Sequence, residues 1–205
     1  MSSNRVAILL DGGFIKKKLQ EQLGHFPTVP EMVNLSNIVM NKPALAGKEL
    51  FRVYYYDAPP FEGKAKNPVT GIWQTFSNTP QASQNKALID ALELQPNFAV
   101  RRGFLVLAGW KLGRNALRAL TKAKRPIAPG DIVPDMSQKC VDMKIGLDMA
   151  WLALRGIVDT VILVTSDSDF VPVMKFARRE GLRVCLECLN HPVRPELKAH
   201  ADIVL

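Results

Sequence analysis

This sequence predicts an α/β fold with a central, mainly parallel sheet, on three observations. Short β-branched or apolar runs alternate with stretches of helical periodicity. Residues 160–164 (TVILV) are almost continuously apolar, the pattern of a strand buried on both faces. The 205 residues fit one domain, enough to bury a core without disulfides or metal staples.

The elements follow in order. A first strand at 6–10 (VAILL) leads into a helix carrying Phe14, Ile15, Leu19 and Leu23 on its apolar positions. A second helix is expected over about 30–41, ending near Pro43. Residues 51–56 (FRVYYY) read as a strand, in which Tyr54 and Tyr56 share one face, so at least one tyrosine belongs to the core. A Pro/Gly-punctuated loop from Asp57 to about Pro80 precedes a helix over 81–94. Residues 98–100 and 104–107 supply a further extended segment, and from 109 to 137 the pattern breaks down around Pro126, Pro129 and Pro134. That stretch is expected to be a basic, variable excursion from a single domain spanning 1–205. Beyond it come a helix at 139–154, the 160–164 strand, a helix at 170–180 stopped by Gly181, a strand at 182–186, a short helix at 194–200 and a last strand at 202–205.

Two strands end in aspartate. Asp11 follows the first directly, and Asp167 and Asp169 follow the 160–164 strand through Thr165 and Ser166. In an open parallel sheet ligands bind outside the carboxyl ends of the strands, where strand order switches. If the two strands are neighbours, three carboxylates converge there, and Asp142, in the first turn of a helix, adds a fourth. Each has an innocent reading: Asp11 and Asp169 suit helix N-caps, and Asp142 complements a helix dipole. Together they suit a hard divalent cation, because clustered carboxylates otherwise repel and take up protons. Mg2+ or Mn2+ on Asp11, Asp142 and Asp167 would activate water for attack on a phosphodiester, with Asp169 assisting. Asp148 shares a stripe with Val141, Ile145 and Leu152, about 120° from Asp142 on a helix, so a supporting role toward a neighbouring backbone group or lysine is expected.

Charge points to the partner. The chain carries 27 Lys and Arg against 19 Asp and Glu, a net +8, with a pI near 9.5, a balance that favours a polyanion. No acid lies between Glu93 and Asp131, an interval holding Arg101, Arg102, Lys111, Arg114, Arg118, Lys122, Lys124 and Arg125. With Lys139 and Trp110 these are the candidates for nucleic-acid binding, RNA first and DNA left open. Three cysteines and no apolar run approaching a membrane span or signal core suggest a reduced, cytoplasmic protein.

At its acidic motifs the chain resembles the NYN family, a LabA-like branch of the PIN-like nucleases. The matching segments are 6–14 (VAILLDGGF), 139–148 (KCVDMKIGLD), 162–170 (ILVTSDSDF) and 197–202 (LKAHAD). The resemblance implies a Rossmann-like three-layer α/β/α sandwich and a divalent-metal ribonuclease site. It assigns Asp11, Asp142, Asp167 and Asp169 to catalysis, with Asp148 as a further motif acid. Many relatives carry Asn where this chain has Phe14. Pairing as a homodimer is a further expectation.

Other classes fit less well. The first strand is followed by neither G-x-G-x-x-G nor a P-loop lysine. TOPRIM-type enzymes want glutamate where Asp11 stands, and haloacid-dehalogenase-like phosphatases want Asp-x-Asp there. Cys185, Cys188 and His191 lack a fourth zinc ligand nearby in sequence. The serious alternative is a catalytically weak or inactive PIN-like module that binds RNA or a protein.

Overall fold

The structure, a computed structural model, describes residues 4–77 and 79–205. Strand β1 (Arg5–Asp11) runs straight into helix α1 (Gly12–Leu23), and α2 (Val29–Met40) follows, opened by a capping box between Thr28 and Glu31. Then come β2 (Glu49–Asp57), a small hairpin of β3 (Lys64–Lys66) and β4 (Trp73–Thr75), α3 (Pro80–Glu93) and β5 (Phe98–Arg102). Next, β6 (Phe104–Leu112), α4 (Ala116–Ala123) and β7 (Ile132–Lys139) form an excursion. The chain closes with α5 (Val141–Arg155), β8 (Thr160–Val164), α6 (Val171–Arg179), β9 (Arg183–Glu187), α7 (Pro195–Ala199) and β10 (Ile203–Val204).

Six strands make one parallel sheet in the order β10-β9-β8-β1-β2-β5. Alternation along each strand sends side chains to opposite faces. Ala7, Leu9, Tyr54, Tyr56, Leu163 and Leu186 face α5 and α6, whereas Ile8, Leu10, Tyr55, Ile162 and Val164 face α1, α2 and α3. Two buried layers therefore sandwich the sheet, and all three tyrosines are core. The expected three-layer α/β/α sandwich is the fold.

The largest difference from the sequence reading lies in the excursion. Residues 109–137, read there as patternless, hold most of an antiparallel β6–β7 ribbon and helix α4. Along β6 exposed and half-buried residues alternate, because the ribbon has no second sheet to cover its outer face. Gly103 separates β5 from β6, so the single extended segment expected there is two strands in different sheets. A Cβ at Gly103 would stand 2.6 Å from the Lys139 carbonyl oxygen and 2.5 Å from Val141 Cγ2; only glycine fits where the ribbon's two ends cross. No described helix is long and apolar enough to cross a membrane.

Candidate active site

β1 and β8 are neighbours, with Leu10 opposite Val164. From this pair the chain builds outward in opposite directions, through β2 and β5 on one side and β9 and β10 on the other, so the β1–β8 boundary is the switch in strand order. Asp11 ends β1 at that boundary, and Thr165 follows β8 directly beside it.

Thr165, fully buried, joins the two strand ends. Its hydroxyl donates to Asp11 Oδ2 at 2.9 Å and accepts from the Asp167 amide at 3.2 Å. Asp11 Oδ1 accepts from the Phe14 amide at 3.3 Å, capping α1, and Asp167 Oδ1 accepts from the Asp169 amide at 3.0 Å, capping a short 3-10 turn. One oxygen of Asp11 thus caps the helix while the other is held by Thr165. Asp169 lies inside the turn, and Asp167 takes the capping role expected of it.

The acids act on one another. Burial raises the Asp11 carboxyl above its ordinary range; donation from Thr165 and Phe14 pulls it back, and the charges of Asp142 and Asp167 push it further up. Partial desolvation raises Asp142 as well, with Asp167 and Asp169 adding repulsion. Asp142, Asp167 and Asp169 are exposed, so the cluster opens to solvent. Among the described residues no three Asp, Glu, His or Cys side chains stand close enough to form a ready-made chelate. This donor set, all carboxylate and partly hydrated, fits an ion of the magnesium type that keeps waters and takes only one or two direct carboxylates.

Asp148 stands apart from this edge. Its Oδ2 accepts from the Tyr56 hydroxyl at 2.9 Å and from Arg101 Nε at 2.8 Å, and Arg101 lies over the Tyr54 ring. Its partners are thus a tyrosine and an arginine in place of the expected backbone group or lysine.

The basic candidates divide into two groups. Arg101 is committed to Asp148, Arg102 to Asp90 and Glu93, and Lys111 to Asp135. Arg114, Arg118 and Lys139 are exposed and have no ion pair among the described residues. Trp110 is not an open platform: its ring packs 6.2 Å from Phe76, and its buried Nε1 has no hydrogen-bond partner among the described residues. Phe14 turns its ring toward His191, edge-on at 6.1 Å.

Three residues escaped the sequence reading. Thr165 looked like a connector. Asp57 closes β2 as Asp11 closes β1; it is buried and accepts from Lys16, Tyr55, Gln138 and the Ala58 amide. The signal for it was available, since it ends a strand as Asp11 does. Arg194 donates to Ser168 between the two exposed aspartates, bringing a guanidinium beside the acids from a distant segment. Gly12 of the Asp-Gly-Gly segment has a steric reason: a Cβ there would stand 2.6 Å from the Tyr56 carbonyl oxygen and 2.9 Å from the Tyr55 ring.

A three-layer sandwich with acids at the switch of a parallel sheet defines a protein of the PIN-like class. The chain belongs to the NYN domain family, whose family model matches residues 70–204, and that family is part of the PIN-like nuclease superfamily. The match takes in Asp142, Asp148, Asp167 and Asp169; Asp11 joins them through the β1–β8 pairing. The fold is similar to the crystal structure of a protein of unknown function from Vibrio parahaemolyticus RIMD 2210633, at a TM-score of 0.51 and 20% identity, covering 98% of this chain and 91% of that chain. Comparison with curated proteins gives no match.

Proposed function

We propose that the protein is a divalent-metal-dependent ribonuclease. The observation that carries this reading is the coupling of Asp11, Asp142, Asp167 and Asp169 across the switch of the sheet, with Thr165 tying the two strand ends together. Asp11, Asp142 and Asp167 would hold Mg2+ or Mn2+, one or two of them directly and the rest through the ion's waters, with Asp169 assisting through water or a second ion. Such an ion, when bound, lowers the pKa of water and offsets charge on the phosphate. Thr165 keeps one oxygen of Asp11 turned to the cluster. Burial, and behind it mutual repulsion, raises the carboxyls of Asp11 and Asp142 above their ordinary range, a cost that a bound cation would relieve. Lys139, Arg114 and Arg118 would hold the RNA backbone, and Arg194 a phosphate beside Ser168.

The test is cleavage mapping on single-stranded RNA and DNA with Mg2+ or Mn2+, wild type beside Asp11→Asn and Asp167→Asn. Each variant is expected to lose at least about a hundredfold in rate. Unchanged rates in both would refute the proposal. A second reading, a binding module with weak or no catalysis, is favoured by the Phe14 ring where many relatives have Asn. On that reading RNA is retained and left intact at every metal concentration.

A further inference from the structure

Beside the acidic edge lies a cavity of about 450 Å³, walled by α1, α3, the segment after β2 and the β6–β7 ribbon. Its surface is mostly aromatic and aliphatic. Phe61 and Phe76 form one wall with ring centroids 5.8 Å apart, and Leu105 and Met136 of the ribbon also line it. The polar groups are few and fixed, as in a small-ligand site. Lys16 Nζ is held 2.5 Å from Asp57 and donates to Asn85 Oδ1 at 2.6 Å; Asn85 Nδ2 donates to the Ala58 carbonyl at 3.1 Å. These bonds set the orientation of the Asn85 amide. They use one N–H and one oxygen lone pair, so the amide of this cavity-lining residue retains one further donor and one further acceptor.

This chemistry selects among ligands. The Lys16 charge is already matched by Asp57, so the interior offers little to a bare phosphate. An aromatic lining, its two rings tilted 59° to each other, with one fixed side-chain amide suits a neutral, planar, polar ring, since bases both stack on aromatic rings and pair with amides. The cavity also connects to the acids. Met136 lines it, and Gln138, two residues along β7 on the same face and about 7 Å away, donates to Asp57 at 3.1 Å. The Gln138 amide oxygen also lies 3.6 Å from where a Cβ on Gly13 would stand, next to Asp11.

We propose that this cavity is a subsite for one nucleobase of a single-stranded RNA whose backbone crosses the acidic edge, a proposal that rests on the polynucleotide reading above. The base stacks on Phe61, with the tilted Phe76 ring as a side wall, and pairs with Asn85, while its phosphates stay outside against the exposed cations. The subsite gives the protein a preference at one position relative to the cut.

The experiment uses the full chain carrying Asp167→Asn, with Mg2+ and short single-stranded RNAs bearing 2-aminopurine or an abasic residue at successive positions. Emission is expected to be quenched at one position, and an abasic residue there to weaken binding about tenfold. Phe61→Leu keeps apolar volume at a half-buried site and removes the ring, so it should abolish the positional quenching and keep the salt dependence of binding. Uniform quenching, abasic residues that change nothing at any position, or full quenching in Phe61→Leu would each overturn the subsite. Cleavage by the unmutated active site is measured in parallel. Cleavage without positional quenching sinks the subsite alone, positional quenching without cleavage sinks the nuclease reading alone, and RNA that does not bind sinks both.

Discussion

Replacing Thr165 with valine keeps the branched shape of a fully buried side chain and removes only its hydroxyl. That hydroxyl stabilises the charged form of Asp11 and accepts the Asp167 amide, so the variant leaves a half-buried carboxylate oxygen and a backbone N–H without their partner. Hydrogen bonds to charged groups contribute about 1.5–3 kcal/mol, so a loss of about 2–3 kcal/mol is expected at neutral pH. The sign with pH follows from Asp11. Its folded-state pKa is already raised by burial, and Thr165 is the strongest influence lowering it. Without the hydroxyl the pKa rises further, and the penalty is full above that raised value and shrinks as pH falls through it and the carboxyl protonates. Urea unfolding of wild type and Thr165→Val at neutral and mildly acidic pH measures this directly. The acid limb of the cleavage profile should move to higher pH in the variant, because activity needs Asp11 charged. A stability difference that does not change with pH, together with an unmoved acid limb, would refute the role given to Thr165.

Other outcomes are equally specific. Gly12→Ala should cost about 1–3 kcal/mol of stability in denaturant melts, since its Cβ would enter the Tyr56 carbonyl and the Tyr55 ring. Asp148→Ala should cost about 1–3 kcal/mol by orphaning the buried Tyr56 hydroxyl, yet leave the Mg2+ midpoint of cleavage where it was; a shifted midpoint would place Asp148 among the ion's ligands. Asp142→Asn removes mutual repulsion, so the metal-free protein should melt no lower than wild type, and the stabilisation gained on adding Mg2+ should diminish. In binding assays across salt, Arg114→Ala with Arg118→Ala should flatten the salt slope by about two counter-ions, whereas Arg102→Ala should change it less, because Arg102 already has two acidic partners.

Much of this molecule was legible along the chain because the relevant physics is local. Apolar alternation and helix periodicity marked the strands and helices of the central sandwich, and an aspartate directly after a buried strand lies at the edge of whatever sheet that strand joins. Asp148 fell on the apolar stripe of α5, which placed it against the core before its partner was visible. The excursion resisted the same reading. The burial alternation along β6 is not matched by alternating residue types, since Phe104 to Leu107 are apolar on both faces, and Pro134 weakens the strand pattern of β7.

Tertiary structure alone decided which strands are neighbours. Residues 6–10 and 160–164 each announce a strand, but nothing local in either says that they pair, and their pairing brings Asp11 to the Thr165 hydroxyl, which already holds the Asp167 amide two residues on. The same holds for charge. The sequence counts the arginines, whereas the fold spends Arg101 and Arg102 on acids and leaves Arg114 and Arg118 without an ion pair among the described residues. A side chain's type and spacing are written in the chain, but its partner across space is set by packing among segments a hundred residues and more apart.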